Sequence, residues 1–225
     1  SGVQIGNTAS AADRVYFAGG TKGLFVNGDS VTVQNATFGS LPSGTVGSFS
    51  ENAIFVSSLA SGFTLTNATI AHATSDAVSL DSASSVTLSD NTISNNTAHG
   101  IEIQSVATAT VSGNTIQSNG SCGVNLTSGS DQTYTNNTIA SNTGAGVCVA
   151  GSPSNVRIGA SSAGAVGSAG NSITGAGSSA AIAMGTATPS GFAVGYNALL
   201  YNASSYNSVT YTTNPAPVQE VSGLA

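Results

Sequence analysis

The chain has 225 residues, of which 5% are charged and 40% are hydrophobic, and its formal net charge is −6. Soluble domains ordinarily carry about 25% charged residues, so Ser, Thr and Asn must supply most of the polar surface. Only 3 residues are Lys or Arg, too few for the clustered basic surface that nucleic acid requires. No stretch reaches the roughly 18 apolar residues of a membrane span. The composition therefore excludes nucleic acid as a partner and a transmembrane helix.

Residues 1–23 are predicted to lead into the fold and to cap it. Strand-like sequence begins at Leu24, and residues 31–38 hold the first complete copy of a pattern that returns at residues 63–70. The offset between Thr32 and Thr64 is 32 residues (64−32), which exceeds the later period by about nine. Residues 40–50, rich in Ser and Gly, are therefore predicted to form a loop that leaves the repeat.

A strict repeat occupies residues 76–149. Four apolar residues follow one another at intervals of 23 residues (101−78, 124−101, 147−124): Val78, Ile101, Val124 and Val147. Each lies in a short alternating sequence bounded by Gly, Ser or Asn, which is typical of a strand between tight turns. A fixed period in this range is the signature of a solenoid built from stacked repeats.

The repeat also aligns residues of one type into columns. The apolar columns are Phe38, Ile70, Ile93, Ile116 and Ile139, and Val33, Leu65, Leu88, Val111 and Tyr134. One Thr column is Thr32, Thr64, Thr87, Thr110 and Thr133. An Asn column is Asn91, Asn114 and Asn137. Because strand side chains alternate between the two faces, we expect the apolar columns inside and the Thr column outside.

The columns predict a parallel solenoid. Each period holds two clear strands and room for a third, and strands stacked on identical strands give a three-faced coil that rises about 4.8 Å. The run at residues 86–103, VTLSDNTISNNTAHGIEI, resembles the repeat of right-handed parallel β-helix proteins of the pectate-lyase-like superfamily. The resemblance implies an all-β fold, a right-handed parallel β-helix with coils of roughly 23 residues. It selects no function, because that superfamily includes polysaccharide lyases, hydrolases, epimerases, tailspikes, adhesins and structural proteins.

The period loosens after Val149, and the β-helix is predicted to extend over residues 24–194. Residues 195–225 are predicted to be a tyrosine-rich C-terminal cap and tail. Four tyrosines fall five residues apart: Tyr196, Tyr201, Tyr206 and Tyr211. They are candidates for a binding surface or an oligomer interface, since Tyr offers amphipathic contact area. The alternative is that they cover the open end of the solenoid.

The most site-like polar group is Asp76, Asp81, His99 and Glu102. In the 23-residue register His99 lies one coil above Asp76, and Glu102 points outward above Ser79. If the protein is an enzyme, Asp76, His99 and Glu102 are the predicted catalytic residues, because carboxylates beside a His can cleave a glycosidic bond by acid–base chemistry. The competing interpretation is a set of solvated residues at coil corners. Enzymes that cut acidic polysaccharides on this scaffold present Arg or Lys, whereas Arg14 and Arg157 lie far away in the sequence.

The Thr column predicts a second surface. Together with Gln34, Thr66, Ser89, Ser112 and Thr135 it places two polar columns on one outward face. A flat, regular Thr array of this kind is how several ice-binding solenoids organise surface water. Ice binding through Thr32, Thr64, Thr87, Thr110 and Thr133 is therefore one hypothesis.

The cysteines do not fit the period. Cys122 and Cys148 are 26 residues apart, three more than the period, and three strand residues span about 10 Å. A disulfide needs Cα atoms within roughly 7 Å, so the register disfavours a bridge unless a corner bends the chain. No metal site is expected, because zinc needs more ligands and His72 and His99 share no spacing with the cysteines. No cofactor is expected either.

These observations favour an extracellular or cell-surface β-solenoid with a structural or adhesive role, such as a self-associating subunit of a fibre. The low charge content supports this, since few like charges oppose end-on association. The alternatives are a polysaccharide-binding or polysaccharide-cleaving β-helix and an ice-binding protein. The expected partners are further copies of the chain or surface glycans.

Overall fold

The computed structural model describes residues 2–6, 14–159, 170–175, 180–184, 190–195 and 197–200. In these residues the chain forms 23 short strands and no helix. The residues described here accordingly contain no helix long and apolar enough to cross a membrane. The four tyrosines of the predicted C-terminal interface, Tyr196, Tyr201, Tyr206 and Tyr211, lie outside the described residues.

The strands form three parallel sheets. Sheet 1 contains β1 (Val3–Ile5), β4 (Val31–Gln34), β7 (Phe63–Thr66), β10 (Val86–Ser89), β13 (Ala109–Ser112), β16 (Ser130–Thr135), β19 (Ser154–Gly159) and β22 (Ala193–Gly195). Sheet 2 contains β2 (Val15–Phe17), β5 (Ala36–Phe38), β8 (Thr69–Ile70), β11 (Thr92–Ser94), β14 (Thr115–Gln117), β17 (Thr138–Ala140), β20 (Ser172–Thr174) and β23 (Ala198–Leu200). Sheet 3 contains β3 (Leu24–Val26), β6 (Ile54–Val56), β9 (Val78–Asp81), β12 (Ile101–Gln104), β15 (Val124–Leu126), β18 (Val147–Val149) and β21 (Ile182–Met184).

Each strand pairs with the equivalent strand of the next coil. Thr87 pairs with Thr64 below it and with Thr110 above it, and Ile101 pairs with Val78 and Val124. One strand per sheet is contributed by each turn of the chain, so the predicted right-handed parallel β-helix with three-faced coils is confirmed. The third strand, for which the sequence left room, is the short strand of sheet 2, which completes each coil.

The interior is filled by the predicted apolar columns. Phe38, Ile93 and Leu88 have no exposed surface, and Tyr134 is 1% exposed. The Tyr134 hydroxyl donates to Gln132 Oε1 at 2.6 Å, which satisfies its polar end inside the core. Near the first coils the Phe17 and Phe38 rings stack with centroids 4.5 Å apart.

Two ladders of buried Asn close the corners that flank sheet 2. The predicted column of Asn91, Asn114 and Asn137 continues through Asn171 and Asn197. A second ladder, which the sequence analysis missed, is formed by Asn96, Asn119 and Asn142. Within each ladder an amide donates to the amide oxygen one coil above and to a main-chain carbonyl below, while the last members, Asn142 and Asn197, donate within the described residues to a main-chain carbonyl alone. Buried polar groups are thereby satisfied along the stack.

The corner before the first ladder requires a left-handed backbone. Equivalent positions in successive coils all have φ between 50° and 108°: Asn35, Asn67, Asp90, Gly113, Asn136 and Gly159. Asn, Asp and Gly are the residues that adopt this conformation at low cost. The local sequence therefore turns the chain from sheet 1 to sheet 2 in each of these coils.

The described residues before Leu24 already belong to the solenoid. β1 pairs with β4 and β2 pairs with β5, so strands within residues 1–23 extend sheets 1 and 2. The predicted loop at residues 40–50 is shorter than expected: the chain leaves the coil in a small excursion closed by an antiparallel bridge between Ser40 and Val46, and it has returned by Phe49, which is buried and bridges Gly20 and Ala73 in parallel. The domain boundaries at residues 23/24 and 194/195 stay predictions.

Candidate functional site

The outer face of sheet 3 carries two parallel rows of side chains. The strand row points outward from the middle of each strand and contains Phe25, Phe55, Ser79, Glu102, Asn125 and Cys148. The corner row stands two residues before each paired strand and contains Lys22, Asn52, Asp76, His99 and Cys122. Because coils stack about 4.8 Å apart, neighbours in each row are within reach of one another.

Asp76, His99 and Glu102 meet on this face. One carboxylate or imidazole atom from each residue lies within 4.8 Å of the corresponding atoms of the other two, and all three side chains are half-buried. The sequence placed His99 above Asp76, but the contact of Glu102 with both depends on the corner geometry. Asp81, the fourth residue of the predicted group, lies at the far end of β9, where it pairs with Gln104 and accepts a hydrogen bond from Ser82.

Asp76 is held in place through both carboxylate oxygens. Oδ1 accepts the main-chain N–H of His99 at 3.0 Å, and Oδ2 accepts the Asn52 side-chain amide at 3.4 Å. These donors come from the coil above and the coil below. The carboxylate is thereby fixed in one orientation, which a group acting on a bound substrate requires.

The tautomer of His99 is set by the next coil. Its Nδ1 accepts the main-chain N–H of Cys122 at 3.1 Å, so in the neutral ring the proton sits on Nε2. A metal-bound His instead leaves its second nitrogen as a hydrogen-bond donor. Although Asp76, His99 and Glu102 are grouped closely enough to hold an ion, this hydrogen bond makes the ring a donor toward the face, and the cluster fits proton transfer better than metal binding.

Glu102 has a raised pKa. Desolvation by burial is the largest cause, and the neighbouring Asp76 carboxylate adds to it, whereas a hydrogen bond from Asn125 and the nearby His99 act in the opposite direction. The Asn125 amide donates to Glu102 Oε2 at 2.7 Å, which leaves Oε1 to carry a proton. A half-buried carboxyl with a raised pKa beside a second carboxylate is a pattern found at acid–base sites.

The expectation that the register disfavours a disulfide was wrong, and the exception allowed for a bent corner applies. Cys122 and Cys148 are bridged, with Cα atoms 6.0 Å apart. Three extra residues would separate the cysteines by about 10 Å only in an extended strand, but the chain turns at Gly123, between the corner position of Cys122 and β15. A corner residue therefore faces the strand-row residue of the next coil, and the same 26-residue offset (148−122 and 102−76) relates Cys122 to Cys148 and Asp76 to Glu102.

The disulfide makes a testable contribution to stability. It closes 26 residues of chain, and loop-closure entropy assigns a bridge of this size about 3 kcal/mol. We expect the double substitution Cys122→Ala/Cys148→Ala to lower the free energy of unfolding by that amount in denaturant titration. Reductant should reproduce the loss in the unsubstituted protein and leave the double variant unchanged; equal stability of the oxidised protein and the variant would contradict this.

Residues with roles that the sequence did not suggest are Asn52, Asn125, Phe25 and Phe55. Asn125 was open to detection, since it follows Glu102 by one 23-residue period. Asn52, Phe25 and Phe55 lie before the regular repeat, where the excursion at residues 40–50 shifts the register. Their place in the two rows is visible only in the paired strands.

The predicted Thr column lies on a different face. Thr32, Thr64, Thr87, Thr110 and Thr133 follow one another in register on the outside of sheet 1. The column continues into Arg157, which lines a shallow depression with Asp131 and Asn155. Arg14 lies outside sheet 2, where it donates to the Thr37 and Thr69 hydroxyls. Neither arginine reaches the cluster on sheet 3, and ice binding by the Thr column stays a prediction.

Known proteins share this architecture. Residues 1–163 match the family model described as a right handed beta helix region, and a search of curated proteins returned no significant match. Among solved structures, the A-module of the mannuronan C-5 epimerase AlgE6 from Azotobacter vinelandii is similar with a TM-score of 0.63 at 15% sequence identity. The similarity covers 92% of this chain and 57% of that chain, so this chain spans little more than half of it. At this identity the likeness shows the fold alone. The family match covers well over half of the sequence, and the chain belongs to the right-handed β-helix family.

Proposed function

We propose that the protein binds a polysaccharide on the outer face of sheet 3 and cleaves it by acid–base chemistry at Asp76, His99 and Glu102. The observation that carries this proposal is the close grouping of these three side chains, within 4.8 Å and half-buried. The adhesive or filament-forming role favoured by the composition stays a prediction, and the tyrosines of its candidate interface lie outside the described residues. The extracellular or cell-surface location also stays a prediction.

The separation of the carboxylates selects the type of cleavage. In inverting glycosidases the carboxyl groups stand about 6.5–9.5 Å apart to admit a water, whereas in retaining enzymes they are about 5–5.5 Å apart. One oxygen of Asp76 lies within 4.8 Å of one oxygen of Glu102, a close approach that is compatible with the shorter, retaining separation. We therefore assign the retaining mechanism to this pair as part of the proposal.

The two carboxyl groups then have different roles. Glu102, with its raised pKa, donates its proton to the glycosidic oxygen as the bond to the anomeric carbon breaks, and Asp76 forms a bond to that carbon. A water then attacks the anomeric carbon, returns a proton to Glu102 and releases Asp76. His99 supports this sequence by fixing Asp76 through its main-chain N–H and by presenting Nε2–H as a hydrogen-bond donor to the sugar.

The proposal is tested by incubating the purified protein with soluble polysaccharides and measuring newly formed reducing ends. Xylan, mannan, laminarin and dextran are suitable neutral probes, and alginate and polygalacturonate are suitable anionic probes. Reducing ends should accumulate with at least one probe and should be absent with a variant carrying both Asp76→Asn and Glu102→Gln. Equal product release by the two proteins, or none by either, would reject cleavage at this cluster.

The Asn125 hydrogen bond gives a prediction of pH dependence. It lowers the pKa of Glu102, so Asn125→Ala should raise that pKa further. Because the general acid must be protonated, activity falls as pH rises through the pKa of Glu102; the alkaline limb of the kcat/KM profile should therefore move to higher pH in the variant. Gln104→Ala removes an exposed amide from the same strand and should leave the profile in place. A shift to lower pH, or no shift, would remove Glu102 from the role of acid.

A further inference from the structure

The sheet 3 face carries an outward-pointing aromatic pair. Phe25 and Phe55 point outward, and Phe25 is 54% exposed. Their rings are stacked with an interplanar angle of 7° and centroids 5.7 Å apart. The equivalent strand-row positions in the next coils are the polar residues Ser79, Glu102 and Asn125. Phe55 is half-buried, and the exposed Phe25 ring that stacks on it presents an apolar face to the solvent on an otherwise polar row.

The pair lies in line with the acid–base cluster. Phe55 and Glu102 belong to one row and are separated only by Ser79, so their backbones stand about two strand spacings, on the order of 10 Å, apart. Ser79 is small and leaves space above it. A linear polymer lying along the solenoid axis would cross the Phe25–Phe55 pair, then Ser79, and then reach Glu102 and Asp76.

The electrostatics of the two rows select the chemistry of that polymer. Lys22 is the only Lys or Arg in these rows, and its charge is neutralised by the Glu51 carboxylate while its ammonium lies 5.6 Å from the centre of the Phe55 ring. Lys22 thereby holds the ring rather than offering a free cation. With Lys22 paired to Glu51, the named residues of the two rows offer an anionic polymer no free Lys or Arg, and the Asp76 carboxylate opposes its binding.

We propose that Phe25 and Phe55 form a sugar-binding platform for a neutral polysaccharide that runs along the solenoid axis into the acid–base cluster. Sugar rings without ionised groups present C–H faces that are apolar enough to lie on an aromatic ring, and an aromatic surface binds them with little loss of side-chain entropy. This inference rests on the proposed function, because the platform is assigned as a subsite of that cleavage site. It names the substrate class: a neutral glycan, not a uronate or sulfated one.

The test measures binding without turnover. In the Glu102→Gln background, isothermal titration with xylan, mannan, laminarin and dextran should show binding to at least one of them and none to alginate or polygalacturonate. Adding Phe25→Ala should weaken that binding about tenfold. Leu59→Ala, which removes a side chain that is 68% exposed, is the matched control and should bind like its parent. Circular dichroism of each variant checks that the fold is retained.

The outcomes separate the platform from the catalytic proposal. Binding confined to the anionic probes, binding to none of the six, or unchanged affinity after Phe25→Ala would overturn the platform. If Phe25→Ala leaves binding intact while Glu102→Gln abolishes cleavage, the platform is wrong and the proposed function stands. If Phe25→Ala weakens binding while Glu102→Gln cleaves as fast as the unsubstituted protein, the glycan site stands and the assigned chemistry is wrong.

Discussion

Replacing Glu102 with glutamine is expected to lower the rate of glycan cleavage by about 10²–10⁴-fold, the range typical for loss of a general acid. Glutamine keeps the shape of the side chain and can still accept the Asn125 hydrogen bond, but it cannot give a proton to the leaving oxygen. The loss should appear in kcat, since binding along the face does not depend on that proton. Steady-state kinetics on the probe that the protein cleaves best provide the measurement.

Stability measurements exclude unfolding as the cause of that loss. Burial raises the pKa of Glu102 in the folded chain, so the ionised side chain lowers the free energy of unfolding once the pH passes the unfolded pKa. Glutamine removes this cost, and the variant should be as stable as the unsubstituted protein or more stable at pH 7, with the difference vanishing in acid. Asp81→Asn removes an outward carboxylate of the same sheet that lies away from the cluster, and it should leave the cleavage rate unchanged. A rate reduced equally by Asp81→Asn and Glu102→Gln would assign the loss to general charge effects.

Asn114→Ala is expected to lower the free energy of unfolding by about 3–6 kcal/mol, because it leaves several buried polar groups without partners at about 1–3 kcal/mol each. Asn114 Oδ1 accepts the main-chain N–H and the side-chain amide of Asn91, and its own amide donates to the Leu88 carbonyl at 3.0 Å. Alanine makes none of these bonds, and the site is 1% exposed. Equilibrium unfolding in urea measures the change.

The control for the ladder comes from the same coil. Gln117→Ala removes an exposed amide at the end of β14 and should change the free energy of unfolding by less than about 0.5 kcal/mol. If Asn114→Ala costs no more than Gln117→Ala, the ladder does not stabilise the corner in the way its hydrogen bonds indicate. Because solenoid repeats stabilise mainly their neighbours, the ladder variant should also unfold over a broader range of urea.

The period of the sequence determined most of the fold in advance. A 23-residue interval with alternating apolar residues leaves one consistent stacking, so the inner columns and the Asn91–Asn114–Asn137 ladder could be predicted. The second ladder obeys the same interval and was open to detection, but its members are scattered among many other Asn residues. Alignment could not cross the excursion at residues 40–50, which is why Phe25 and Phe55 went unnoticed.

The candidate site was predictable in membership but not in geometry. The interval places His99 above Asp76, yet distances between a corner and a strand depend on how sharply the chain turns, and the sequence carries no direct measure of that angle. The unknown turn angle also caused the error at Cys122 and Cys148, where an extended chain was assumed. The raised pKa of Glu102 likewise depends on burial by neighbouring coils, which a linear pattern does not report.

The offset that joins Cys122 to Cys148 has a consequence for how this face can change. Three corner residues meet the strand residue of the following coil, and the pairs differ in chemistry: a cation on an aromatic ring for Lys22 and Phe55, two acids for Asp76 and Glu102, and a covalent bond for Cys122 and Cys148. The backbone that presents them stays the same from coil to coil. The face therefore offers pairs of positions, one at a corner and one on a strand, whose side chains can change without changing the backbone. Two substitutions in such a pair could move, duplicate or erase an activity without altering the solenoid that supports it.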